Sequence, residues 1–291
     1  MRAAVCFVAV LSCVALSGCV FVGDDDDGGG GGGDDGDGSP SDGGGSGEPD
    51  CVSAQTRARH TVIVSGQVVD WATQEPVDGA DVEVNTAWDT LEDFPAACPS
   101  VVALDTDGDG RFGPEETEIG SPLEPPIVLF MVSGDDLARV ASDQRLVCDA
   151  PDCGNLGHTI AAPSRDLADD WRAELERGGM ANAAGRGLVL FSFRNPDGTP
   201  AEGVTPWRSL LVDTQTLEPG TEVRFLEEDL TTLASPATAT TTASGVALIG
   251  VDESSSAEFI GGSRDSQEWV ETGVLDPPGW FFLEDRQQSP E

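Results

Sequence analysis

The chain of 291 residues contains no lysine and no tyrosine, only two histidines, and 15 arginines against 53 aspartates and glutamates, for a formal charge of −38. A surface so poor in cations repels nucleic acid and anionic lipid headgroups, and it favours cations, basic partners or uncharged polymers such as glycans. The two histidines, His60 and His158, stand beside no other metal ligand at useful spacing, and no serine sits in a Gly-x-Ser-x-Gly elbow. The six consecutive glycines at 28–33 follow no strand, so they are not a phosphate-binding loop. The apolar stretch from Ala3 to Ala15 is too short to span a bilayer. The expectation is a protein that is not an enzyme, a hydrolase built on an unrecognised carboxylate pair being the least favoured alternative.

What the sequence does contain begins at its start. Arg2 is followed by an apolar stretch, Ala3 to Ala15, and then by Leu16-Ser17-Gly18-Cys19. A positive end, a short apolar run and small residues before a cut make a secretory signal rather than a membrane helix. The ending resembles the bacterial lipoprotein signal, which implies removal of residues 1–18, acylation of Cys19, and a lipid anchor in the outer membrane or at the cell surface. Each buried methylene contributes about 0.8 kcal/mol, so more than one acyl chain holds firmly.

Residues 19–50 read as the lipidated cysteine and its tether. From Gly23 to Asp50 the chain holds ten acids, many glycines and no apolar residue, so it has nothing with which to build a core. A glycine-rich segment of this length spans about 30 Å, more when its carboxylates repel one another. By analogy with other lipoproteins, the acidic run after Cys19 is also a candidate sorting signal for surface export.

With Cys6 and Cys13 in the signal and Cys19 acylated, four cysteines remain in an oxidising compartment: Cys51, Cys98, Cys148 and Cys153. Two disulfides are expected, with three connectivities open. The favoured pairing is Cys51 with Cys98 and Cys148 with Cys153, because the second pair flanks a tight Asp149-Ala150-Pro151-Asp152 turn. The spacing does not suit zinc.

Thr61 to Asp70 is a β-branched strand, Asp81 to Val84 alternates with period two, and Pro76-Val77-Asp78-Gly79-Ala80 between them is a turn. The arrangement returns 124 residues later: an apolar strand at Gly187 to Phe193, a turn at Asn195 to Gly198, and Pro200-Ala201-Glu202-Gly203-Val204. A second echo pairs Asp109-Gly110-Arg111-Phe112 with Ser244-Gly245-Val246-Ala247. Gly66-x-Val68-x-Asp70, Pro76-Val77-x-Gly79-Ala80-x-Val82 and Asp109-Gly110-x-Phe112 resemble the carboxypeptidase regulatory-like domain, across roughly residues 60–115. That resemblance implies a transthyretin-like or Ig-like β-sandwich and an accessory, adhesive or carbohydrate-binding role without catalysis. The chain departs from the family in lacking the tyrosine it often carries on a late strand. The expected organisation is all-β: one sandwich at 51–163, a helical connector at 164–185, and a second sandwich at 186–291.

Within it, Ile127 to Val132 suits a strand buried on both faces. The connector carries Ser164 as N-cap, Leu167, Trp171 and Leu175 on one face, and Gly178-Gly179 as the stop. The segment from Asp105 to Glu116 fits a calcium loop, with Asp105, Asp107 and Asp109 at positions one, three and five, the carbonyl of Arg111 at seven and Glu116 at twelve. The competing reading is a hairpin turn without flanking helices, and the second repeat has Thr242, Ala243 and Ser244 in place of these acids. Calcium is therefore the one cofactor considered. The expected role is that of a non-catalytic, lipid-anchored envelope protein with a membrane contact through lipid and a glycan or envelope protein as partner. Trp71, Trp88, Trp207, Trp269 and Trp280 are the rings a glycan-binding surface would have to expose.

Overall fold

Apolar side chains alternate between two cores, and that alternation organises the structure. The computed structural model describes residues 58–86, 102–121, 127–145, 147–149, 152–154, 157–210, 213–251, 258–274 and 279–287. Cys19, Cys51, Cys98, Trp88 and the segment 19–50 lie outside these residues.

The first sheet is built on β1 (Ala58–Asp70), which pairs antiparallel with β4 (Arg111–Ser121) and parallel with both β8 (Asp152–Gly154) and β9 (His158–Ala162); β7 (Val147–Asp149) completes it against β8. A second sheet has eight strands in the order β13 (Val223–Phe225), β14 (Val246–Gly250), β10 (Leu188–Arg194), β17 (Phe281–Gln287), β6 (Val140–Arg145), β5 (Ile127–Ser133), β2 (Asp81–Thr86) and β3 (Val102–Asp105). A third sheet runs β12 (Asp213–Thr216), β11 (Thr205–Leu210), β15 (Glu258–Arg264), β16 (Gln267–Val274). The regular structure of the described residues is thus β apart from a single helix, in agreement with the all-β sandwich expectation.

The eight-stranded sheet lies in the middle because its strands are apolar on both faces. On β5, Val128, Phe130 and Val132 enter one core while Leu129 and Met131 enter the other. On β10, Leu188 and Leu190 join the first, Val189, Phe191 and Phe193 the second. The first sheet covers one face with Val62, Val64, Val68 and Phe112, and the third covers the opposite face with Ile260 and Trp269. Each fully buried side chain of this size contributes about 1.5–3 kcal/mol.

The two repeats are not separate bodies. β17, from the end of the chain, pairs parallel with β6 of the first repeat, with Phe281, Phe282 and Leu283 opposite Val140, Ala141 and Ser142. The sandwich expected at 51–163 and that expected at 186–291 therefore share one hydrogen-bonded sheet.

The helix α1 (Arg165–Gly178) forms where the sequence places it. Ser164 is extended and its hydroxyl accepts from the Leu167 N–H, and Gly179 closes the helix in the left-handed region at φ 111°. Its buried face, Ala168, Trp171 and Leu175, packs into the first core. Trp171 meets Trp71 edge-on at 6.3 Å and Phe281 at 6.1 Å, so one helical side chain touches both repeats. A loop of the second repeat closes over this pair. The Trp71 indole N–H donates to the Leu230 carbonyl at 2.8 Å and that of Trp171 to the Thr231 carbonyl at 2.6 Å. Asp229 shapes the loop by accepting from the backbone N–H groups of Thr231 and Thr232 and from the Thr232 hydroxyl. Those bonds hold its carboxyl down at about 2.

Candidate functional site

Two places bear on function: the corner carrying the calcium-like motif, and a cleft at the seam of the repeats.

The corner is a twinned structural device. In the first repeat the Thr106 hydroxyl donates to the Val77 carbonyl at 2.7 Å and accepts from the Ala80 N–H at 2.8 Å. In the second, the Thr241 hydroxyl donates to the Ala201 carbonyl at 2.6 Å and accepts from the Val204 N–H at 2.9 Å. The backbone around them matches bond for bond: Gly110 bonds Val68 as Gly245 bonds Phe193, and Gly79 bonds Thr106 as Gly203 bonds Thr241. Gly110 and Gly245 have φ of +71° and +69°, and a Cβ on either would lie 2.5 Å and 2.7 Å from the carbonyl oxygen of Val68 and Phe193 respectively. Glycine is required there twice over, by dihedral and by space. The weak repeat in the sequence is thus a true repeat of geometry.

That equivalence bears directly on the calcium loop. Asp107 corresponds to Thr242. Oδ1 of Asp107 accepts from the N–H of Asp109 and of Arg111, both at 2.9 Å, and Oγ1 of Thr242 accepts from the N–H of Ser244 at 3.3 Å. The acid closes its own turn, as short polar side chains do in Asx turns. The Arg111 carbonyl, offered as a ligand, accepts instead from the Asp107 N–H at 2.9 Å, and Glu116 stands on β4 opposite Ile63. Asp105 ends β3 opposite Asp81, and the Asp109 carbonyl accepts from Gln67. Among the described residues, no group of three or more His, Cys, Asp or Glu side chains is gathered to hold a metal ion. The donor set expected for calcium, Asp105, Asp107, Asp109, Arg111 and Glu116, is spread along this segment from the end of β3 to the middle of β4. The pattern it follows in sequence is in structure a hairpin turn running into an extended strand.

Of the cysteines proposed to pair, Cys148 and Cys153 stand directly opposite one another across β7 and β8, with Asp149 opposite Asp152 at the hairpin end. Directly opposed residues of an antiparallel pair have Cα atoms about 4.5–5.5 Å apart, inside the span a disulfide bridges.

Among the described residues, the tryptophans are buried or half-buried. Trp71, Trp171 and Trp269 are buried, and the Trp269 N–H donates to the Arg194 carbonyl at 2.8 Å. Trp207 is half-buried against Gly261, where a Cβ would meet its ring 2.5 Å away, and Trp280 is half-buried with the Arg139 guanidinium 5.8 Å above it. A flat row of exposed rings is not found among the described residues, which weakens the carbohydrate-binding alternative.

The cleft, of about 560 Å³, opens where the repeats meet. From the first repeat come Trp71, Ser142, Asp143 and His158; from the second come Leu190, Arg194, Glu228, Leu230, Glu284 and Asp285. His158 sits at the start of β9, stacked on Phe130 at 5.1 Å, with Nε2 2.9 Å from the Ser142 hydroxyl. Burial pushes its pKa down to about 4, so the ring is neutral at physiological pH. Glu284, next along β17 from Leu283, is only 3% exposed. The Arg194 Nε–H donates to both oxygens of Asp285, at 2.8 and 2.9 Å. Sequence reading found His158 but none of its neighbours, because Ser142 lies 16 residues away and Glu284 on a strand from the far end of the chain.

No family model matches the chain, and no curated protein matches it. Among solved structures, the shaft pilin SpaA of Lactobacillus rhamnosus GG aligns at 10% identity over 80% of this chain and 98% of that one, with a TM-score of 0.24. The Bacillus anthracis TIE protein aligns at 7% identity over 80% of this chain and 34% of that chain, with a TM-score of 0.23. The minor pilin of Streptococcus agalactiae aligns at 10% identity over 80% of this chain and 97% of that chain, with a TM-score of 0.21. Superpositions this loose carry no argument about role, and the β-sandwich description rests on the strands themselves.

Proposed function

We propose that the chain is a non-catalytic module of the bacterial cell envelope, acylated at Cys19, held away from the membrane by residues 19–50, and serving a structural or binding role outside the cytosol. The address is supported by the apolar run that ends in Leu16-Ser17-Gly18-Cys19 and by the acidic, glycine-rich stretch after it.

The structural half rests on one observation, the shared sheet. Two sandwiches on a free linker reorient. Here Phe281 to Leu283 pair with Val140 to Ser142, and Trp171 is wedged against Trp71 and Phe281. Such a seam resists hinging and fixes the spacing of whatever surfaces the two repeats present, as a spacer or adhesive module requires. Membership of the carboxypeptidase regulatory-like domains belongs to the same reading, supported by the matched Thr106 and Thr241 corners.

The test is metabolic labelling with a palmitate analogue followed by membrane fractionation. The native chain takes up label and sediments with membranes, whereas Cys19→Ser is unlabelled and leaves them. Equal labelling of both, or of neither, overturns the anchor.

A further inference from the structure

We propose that the cleft at the seam of the repeats is a vacant strand position of the first sheet, and that it takes a short extended peptide of another protein with apolar side chains at alternate positions. This rests on the binding half of the proposed role and not on acylation at Cys19, so the labelling experiment and the one below fail independently.

The strands β8 and β9 follow one another along β1, and the position beyond them is only partly filled. At one end β7 occupies it, paired antiparallel with β8. At the other end the Pro163 carbonyl accepts from the Ala138 N–H at 3.0 Å. Between these two, β9 pairs with β1 alone among the described strands. The Ala162 carbonyl points to β1, where it accepts from the Trp71 N–H at 2.9 Å. Backbone groups alternate in direction along a strand, so those of Thr159 and Ala161 point the opposite way, as that of Pro163 does. Thr159 and Ala161 both line the cleft. The edge that β7 uses at one end therefore opens into the cleft in its middle.

The floor of the cleft suits the side chains of such a strand. Leu190 of β10 and Leu283 of β17 are paired neighbours there, and Val246 of β14 lies opposite Ser192. A strand laid along Thr159 and Ala161 covers these apolar groups with every second side chain. Strand addition takes affinity from main-chain hydrogen bonds and specificity from such alternate contacts. A cleft of about 560 Å³ is large enough for a segment of a few residues. The chain's own spare segments do not match this floor. Gly23 to Asp50 and Gln288-Ser289-Pro290-Glu291 contain no apolar side chain, and a second copy brings a formal charge of −38. The occupant is therefore a segment of a different protein.

Isothermal titration calorimetry on the full chain in non-ionic detergent tests this, with acetyl-Thr-Leu-Thr-Leu-Thr-amide as the probe. One saturable site is expected. Acetyl-Thr-Ser-Thr-Ser-Thr-amide, which keeps the backbone and loses the apolar side chains, binds about tenfold more weakly or worse. Two further peptides carry N-methyl groups at both leucines or at all three threonines. Only one of these sets faces β9, so one analogue loses about tenfold or more and the other stays within about threefold. In the protein, Ala161→Pro deletes the outward N–H, while the donors to β1 belong to Ile160 and Ala162. It weakens the probe about tenfold, and the methylated pair decides the question even if this variant does not fold. No saturable binding, equal binding of the serine peptide, an equal response to the two methylation patterns, or unchanged affinity in folded Ala161→Pro overturns the proposal.

Discussion

Nε2 of His158 lies 2.9 Å from Oγ of Ser142, and this contact ties β9 of the first sheet to β6 at the seam of the central sheet. The ring is held neutral by burial, with a pKa near 4 against 6.5 in the unfolded chain. Below pH 6.5 the unfolded chain takes up a proton that the folded chain refuses, so this group's contribution is complete above pH 6.5 and is lost as pH falls toward 4. The loss is on the order of 3 kcal/mol. Urea denaturation at pH 7 and pH 4.5 measures it as the difference between wild type and His158→Gln, which isolates this ring from the many titrating carboxylates. An identical pH dependence in the two proteins refutes the assignment.

The twinned corner predicts twinned mutants. Thr106→Val strands the Val77 carbonyl and the Ala80 N–H, and Thr241→Val strands the Ala201 carbonyl and the Val204 N–H. Each costs about 1–3 kcal/mol, and because the two corners share no partners the double mutant costs the sum within about 0.5 kcal/mol. Chemical denaturation of the four proteins tests this, and a large difference between the two single mutants would show the corners to be unequal.

Glycines at positive φ separate backbone preference from space. Gly79, at +68°, has no heavy atom within 4 Å of a virtual Cβ, so Gly79→Ala costs only the left-handed penalty, about 1–2 kcal/mol. Gly110, at +71°, would drive its Cβ to 2.5 Å from the Val68 carbonyl oxygen, and no rotamer relieves a clash with backbone. Gly110→Ala is expected to cost roughly 3 kcal/mol or more. Melting temperatures in the order wild type, Gly79→Ala, Gly110→Ala are the expected result.

The Asp107 carboxylate is a turn former. Asp107→Asn keeps an acceptor and is expected to be nearly neutral, whereas Asp107→Ala loses about 1 kcal/mol, with or without millimolar calcium. A calcium-dependent rise in melting temperature that Asp107→Asn abolishes would establish a cation site there.

Cys148 and Cys153 are in register for a bridge across β7 and β8. Peptide mapping of protein from an oxidising compartment should recover the cross-linked pair, and its reduction should lower stability by about 2 kcal/mol, the modest value of a short closed loop. Free thiols at both positions would remove the bridge.

Local physics made much of this legible. The N-cap at Ser164, the glycine stop at Gly179, the doubly apolar strand from Ile127 and the Pro-x-x-Gly corners are decided by residues within a few positions of one another, so pattern alone finds them. The calcium-like spacing is likewise local, a run of acids and glycines that satisfies a loop template, whereas only the fold reveals that Glu116 lies on β4 opposite Ile63. The sequence by itself determined the absence of lysine, the acidic character, the candidate anchor at Cys19, the repeat and the β class. Tertiary structure alone decided that β17 returns to β6, that Trp171 bridges Trp71 and Phe281, and that Ser142, His158 and Glu284 meet in one cleft. Those residues lie 16 to 142 positions apart, and no short-range pattern encodes a contact whose partner is chosen by burial of two apolar faces at once.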